Sequence, residues 1–124
     1  MQLKNKRILL TGATGGIGRY IALLLARKGA NLALVGRDTG KLETLANEIA
    51  AKGGNARTIV ADFEIPGTAS LVVSQANQLL GGIDVLINNA AILDFMLLED
   101  QSPERIAQMI QTNVTAPIQL ARAV

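Results

Sequence analysis

The stretch Arg7-Ile-Leu-Leu-Thr11-Gly12-Ala-Thr-Gly15-Gly16-Ile-Gly18 decides how this chain is read. Arg7 to Thr11 is a short apolar run that predicts a β-strand, and the glycine cluster Gly12 to Gly18 breaks it. Glycine lets the backbone turn tightly there and lets an anion approach with no Cβ in the way. A helix is expected next, with Ile17, Ile21, Leu24 and Leu25 on its inner face and Gly29 as its stop. The first turn of such a helix offers unpaired N–H groups and a partial positive charge, which suits a phosphate or pyrophosphate. The spacing is G-x-x-x-G-x-G and differs from the usual G-x-G-x-x-G. It is no P-loop either, since no Gly-Lys-Ser/Thr follows.

Working outward, strand and helix patterns alternate. Asn31 to Val35 reads as the second strand, and Asp38 or Thr39 caps a helix with Leu42, Leu45, Ala46 and Ile49 inward, closed by Gly53-Gly54. Thr58 to Ala61 is the third strand, Thr68 to Leu80 a helix ending at Gly81-Gly82, and Ile83 to Asn88 the fourth strand. Ser102-Pro103-Glu104 opens the last helix with a hydroxyl cap and a proline at the first helical position. Strands separated by helices pair in parallel, and apolar strands are covered on both faces. The expectation is an open α/β sheet.

The 124 residues, 49% apolar and 18% charged, suffice for one compact domain. With no cysteine and no histidine, the chain has no disulfide framework, no thiolate zinc site and none of the commonest metal ligand; no metal site is expected, and a reducing cytoplasmic setting suits it. The net charge of +2 hides an asymmetry: residues 1–60 carry ten Lys/Arg against three Asp/Glu, residues 61–124 two against seven. These cations are scattered on helix faces and the chain has one Tyr, two Phe and no Trp, so a nucleic-acid partner is not expected. The longest wholly apolar run, Ile21 to Ala26, is far short of the roughly 20 residues of a membrane span. A membrane partner is not expected.

The end of the second strand bears on which dinucleotide the glycine turn would take. An NAD site usually has Asp or Glu there, about 20 residues past the loop, for the ribose 2′-hydroxyl. This chain has Gly36 and then Arg37, whose guanidinium can clamp a 2′-phosphate with parallel hydrogen bonds. Asp38 lies further on and caps the next helix. NADP(H) is therefore expected over NAD(H).

Four motifs in order now resemble the short-chain dehydrogenase/reductase family. Thr11-Gly12-x-x-x-Gly16-x-Gly18 is similar to its cofactor loop, and Asp62 stands where the family has a carboxylate near the adenine. Asn88-Asn89-Ala90-Ala91 resembles its Asn-Asn-Ala-Gly motif, with Ala91 replacing the glycine, and Asn113 falls where its catalytic asparagine is found. The resemblance implies a Rossmann-like doubly wound parallel sheet, about four strands in order 3-2-1-4, over one domain of residues 1–124. It implies cofactor contacts from Thr11, Gly12, Thr14, Gly15, Gly16, Ile17 and Gly18 in the loop. Beyond the loop it adds Arg37, Asp62 with Phe63, and Asn89 with Ala90 and Ala91. Pro117 has no N–H, so the Asn113 carbonyl loses its i+4 donor and the helix kinks. In the family such a carbonyl holds a water of a proton relay.

The family's chemistry also uses a serine and a Tyr-x-x-x-Lys. Here the only tyrosine is Tyr20, followed four residues on by Leu24. The expectation is therefore a cofactor-binding half of a longer enzyme, inactive by itself, pairing with a second copy through its last helix. Its substrate would be a small carbonyl or alcohol compound. A non-catalytic nucleotide-binding or interaction module stays open as the alternative. A methyltransferase domain with an adenosyl ligand fits the asparagine motifs and Arg37 poorly.

Overall fold

The computed structural model describes residues 1–124. Strand β1 (Arg7–Leu10) leads into helix α1 (Gly16–Arg27), β2 (Asn31–Gly36) into α2 (Thr39–Ala51), and β3 (Asn55–Val60) into α3 (Thr68–Leu80). After β4 (Val85–Ile87) a loop and a short 3-10 turn lead to α4 (Pro103–Ile110), a π-helical turn (Gln111–Thr115) and α5 (Ala116–Ala123). The sheet is wholly parallel in the order β3-β2-β1-β4, so the Rossmann-like order expected from the sequence is the one observed.

The two-residue period of the strands divides the core into two halves. Ile8, Leu10, Leu32 and Leu34 face one way and pack under Ala22 and Leu25 of α1 and Leu42, Leu45 and Ile49 of α2. Leu9, Ala33 and Val35 face the other way against Val72, Val73 and Ala76 of α3 and Leu120 of α5. Each of these large side chains taken fully out of water contributes about 1.5–3 kcal/mol, so burial on both faces is what secures the central strands. No helix is long and apolar enough to cross a membrane.

Several expectations are corrected. Helix α1 buries Gly18, Ala22 and Leu25, while Ile17 and Leu24 are exposed and Ile21 is half-buried. The helix approaches the sheet along its small residues, which a reading by hydrophobicity alone passes over. Strand β3 begins at Asn55, three residues before the apolar run, because at the sheet edge its polar start needs only the backbone ladder to β2. The Asn55 amide donates to Asn31 Oδ1 at 3.0 Å across that ladder. Strand β4 is shorter than expected, since Asp84 turns to pair with Arg7. The remaining starts and caps follow the sequence. Asp38 Oδ1 accepts from the Lys41 N–H at 3.0 Å, and Ser102 Oγ accepts from the Arg105 N–H at 3.1 Å.

Candidate functional site

The loops that leave the carboxyl ends of all four strands surround one cleft of about 530 Å3. Such an edge of an open α/β sheet is where the fold leaves a crevice. Its first wall is the turn from β1 into α1. Gly12 has φ +61°, a value L side chains rarely adopt, and a Cβ there would come within 2.9 Å of the Ala90 backbone. A Cβ on Gly18 would run into the Gly12 carbonyl oxygen. These two glycines are required by the fold itself. Gly16 is different: a Cβ there would meet nothing within 4 Å, because it borders the cleft.

Gly15 stands at the N-cap of α1 and supplies no side-chain acceptor, and the first turn has no acidic residue. The amides of that turn and the positive end of the dipole are left facing the cleft, uncompensated by the protein. Thr14, Gly15, Gly16, Ile17 and Gly18 all line it. This is the arrangement a pyrophosphate fits.

Thr11 does not line the cleft. Its buried hydroxyl accepts from the N–H groups of Asn89 and Ala90, each at 3.0 Å, and lies 3.4 Å from the Ile87 carbonyl. The Asn89 side chain adds a bond to the Gly12 carbonyl at 3.0 Å. Thr11 and Asn89 thus lock the loop after β4 against the loop after β1, and Ala90 and Ala91 complete that wall. Ala91 is an exposed residue at the cleft wall. Asn88 instead reaches the Pro117 carbonyl at 3.3 Å, outside the cleft.

At the end of β2, Arg37 lines the cleft and is largely exposed. Lys41, from the first turn of α2, lines it too. A lysine in a first turn opposes the helix dipole, and that unfavourable placement was the signal available in the sequence. Asp62 follows β3, and one carboxylate oxygen closes a turn by accepting from the Glu64 N–H at 2.9 Å. The Phe63 side chain is buried in the core beneath α3, which leaves its backbone for the cleft. Glu64, absent from the expected set, lines the cleft as well.

Asn113 lies off the cleft. Its Oδ1 accepts from the Ile92 N–H at 2.9 Å, and its Nδ2 donates to the Ile92 carbonyl at 2.7 Å. The side chain is therefore spent on clamping the loop after β4. The expected kink before Pro117 takes the form of a π turn, in which the Ala116 N–H donates to Gln111 across five residues. That turn brings Thr112 to the cleft wall, buried, with a hydroxyl that has no hydrogen-bond partner.

A parallel sheet with a glycine turn and an uncapped helix at its carboxyl edge defines a nucleotide-binding class of Rossmann-like domain. The sequence profile of short chain dehydrogenases matches residues 6–124, and the chain belongs to that family. A short chain dehydrogenase of Pseudocercospora fijiensis is 37% identical over 99% of this chain and 40% of its own length. The ketoacyl reductase HetN of a Nostoc species is 38% identical over 97% of this chain and 42% of its own. Among solved structures, a short chain dehydrogenase from Burkholderia cenocepacia in complex with NADP superposes with a TM-score of 0.92 at 33% identity, over 99% of this chain and 51% of that one. A blue fluorescent protein from a metagenomic library in complex with NADPH gives 0.91, also at 33% identity. The chain thus spans about two-fifths of these curated relatives, 40% and 42%.

Proposed function

We propose that this chain is the cofactor-holding part of an NADP(H)-dependent oxidoreductase acting between a carbonyl and an alcohol carbon of a small molecule. One observation carries the reading. The same cleft joins the uncapped first turn of α1, opened by Gly16, to two cations, Arg37 and Lys41, beyond β2. The amides suit a pyrophosphate and the cations suit a 2′-phosphate. Gly36 and Arg37 stand where a carboxylate for a free ribose diol would otherwise be. The NADP and NADPH complexes among its structural relatives support the same choice.

When bound, the nicotinamide supplies or accepts a hydride. The chain's own residues hold and orient. Asp62 keeps one carboxylate oxygen free of its turn to accept from an adenine amino group. The walls at Asn89, Ala90 and Ala91 confine the ribose side of the ligand. The Asn113 carbonyl, denied its i+4 donor by Pro117, is available to a water that passes protons. Residues 1–124 contain no Tyr-x-x-x-Lys, so they bind cofactor without turning it over. The exposed Ile106, Ile110, Val114 and Ile118, four residues apart along the last helical stretch, suit contact with a second copy.

Calorimetric titration with NADPH and NADH tests the reading. NADPH is expected to bind at least about tenfold more tightly, the scale of one charge-assisted contact, and Arg37→Ala to remove most of that advantage. Tighter NADH binding, or an unchanged NADPH affinity in Arg37→Ala, overturns it. Sustained NADPH oxidation by the mass-verified 124-residue chain would overturn the assignment of a purely binding role.

A further inference from the structure

We propose that Arg105, a residue of α4 outside the cleft, sets the preference for a 2′-phosphate by taking the hydrogen bond of Glu64 and leaving it only a looser ion pair with Arg37. The inference rests on the NADP(H) reading above and names a residue that reading does not use. Glu64 lines the cleft, and its Oε1 lies 3.0 Å from Arg105 Nη1 but 3.7 Å from Arg37 Nη1. Two guanidinium groups thus address one carboxylate oxygen, and only Arg105 hydrogen-bonds to it.

Arg105 is fixed in that position by its own partner. Its Nε donates to Asp94 Oδ2 at 2.6 Å and its Nη2 to Asp94 Oδ1 at 3.1 Å. A guanidinium is planar and rigid, so this two-pronged bond decides where Nη1 points, and it points to Glu64. Gln108 Oε1, at 3.3 Å, shares the same nitrogen. The Arg105 side chain is 30% exposed, against 63% for Arg37. The carboxylates of Asp94 and Glu64 in turn hold the Arg105 guanidinium above its ordinary range.

The Arg37 guanidinium makes an ion pair with Glu64 at 3.7 Å but no hydrogen bond to it, so its N–H donors are not committed. That state depends on Glu64 being occupied elsewhere. A carboxylate bound to Arg37 would compete with a phosphate for the same N–H groups and repel its charge. Without Arg105, Arg37 is the nearest cation to Glu64, and closing a gap of 3.7 Å to hydrogen-bond distance needs only a small side-chain rotation. Arg105 is accordingly a positioning residue: it acts on the adenosine end through Glu64 and makes no contact with the cofactor.

The test is titration of NADPH and NADH against the protein and its variants, with a thermal melt of each to verify folding. Arg105→Met is expected to weaken NADPH about tenfold, the scale of a charge-assisted hydrogen bond, and to change NADH by no more than about twofold. Adding Glu64→Gln to that background restores NADPH affinity, which a merely structural role for Arg105 would not produce. Arg105→Lys, which keeps a cation beside Glu64, retains most of the affinity and stands in should the methionine variant fail to fold. Equal losses for both cofactors, or no recovery with Glu64→Gln, overturn the inference. If Arg37→Ala weakens NADPH while Arg105→Met does not, this inference alone fails; if Arg37→Ala has no effect, the NADP(H) reading fails with it.

Discussion

Gly12, Gly16 and Gly18 share one turn and answer to different demands. Gly12 is held by its left-handed backbone and the Ala90 backbone behind it, and Gly18 by the Gly12 carbonyl. Gly16 is constrained by neither and faces the cleft. Gly18→Ala is therefore expected to destabilise the fold by about 1–3 kcal/mol, the usual cost of overpacking, in a urea melt. Gly16→Ala, at the first turn of a helix, leaves the melt unchanged or slightly stabilised, since alanine is the better helix former. It nonetheless weakens NADPH binding, because its methyl projects into the space a pyrophosphate would use. The reverse pattern would refute the division. The motif was legible in the sequence, but which glycine serves the fold and which serves the cleft was not, because that depends on the folded turn itself and, for Gly12, on a loop over 70 residues away. Separation along the chain also hid Thr112 and Glu64, which only the folded sheet brings to the cleft. Thr11, read as a cofactor contact, is instead the acceptor for two amides. Thr11→Val leaves both unpaired, and a cost of about 2–4 kcal/mol is expected in the same measurement.

At the scale of elements, the alternation of strands and helices was readable because each unit carries its own punctuation. Asp38, Ser102 and Gly29 mark starts and stops through local hydrogen bonds and backbone conformation, which neighbouring residues suffice to specify. Faces and edges were less readable. Helix α1 presents Gly18 and Ala22 to the sheet, and their small size, not their apolarity, is what the close approach selects. The π turn around Asn113 was anticipated only as a kink, since proline declares a missing donor but not how the helix will absorb it. Two substitutions separate local from tertiary effects. Asp38→Ala removes the cap of α2 and is expected to cost about 1 kcal/mol of unfolding free energy. Thr112→Val removes a buried hydroxyl that has no partner, so the melt is expected to hold or rise slightly. A clear loss of stability in that variant would mean that the hydroxyl is satisfied after all.

Over the whole molecule, the two ends of the sheet do different work. The carboxyl ends carry the cleft, and near the amino ends Arg7 and Asp84 tie β1 to the turn before β4. Arg7 Nη2 donates to Asp84 Oδ1 at 2.8 Å, its Nε and backbone N–H to Oδ2 at 3.0 and 2.9 Å, and Nη1 to the Gly81 carbonyl at 2.6 Å. These bonds hold the Asp84 carboxyl well below its ordinary value of 3.8. Lys52 and Arg19 likewise depress Glu48, and Arg105 depresses Asp94. A carboxyl depressed in the folded state contributes stability that is fully present above its unfolded value and is lost as pH falls through the folded one. The urea midpoint is therefore expected to stay level above about pH 5 and to decline on acidification below about pH 4, first for Glu48, whose ordinary value is 4.5, and then for the aspartates. Asp84→Asn lowers the midpoint at pH 7 and makes the acid decline shallower, because one of the three groups whose protonation drives it is gone. Were the decline as steep in that variant as in the parent, the lock between β1 and β4 would not be what acid releases.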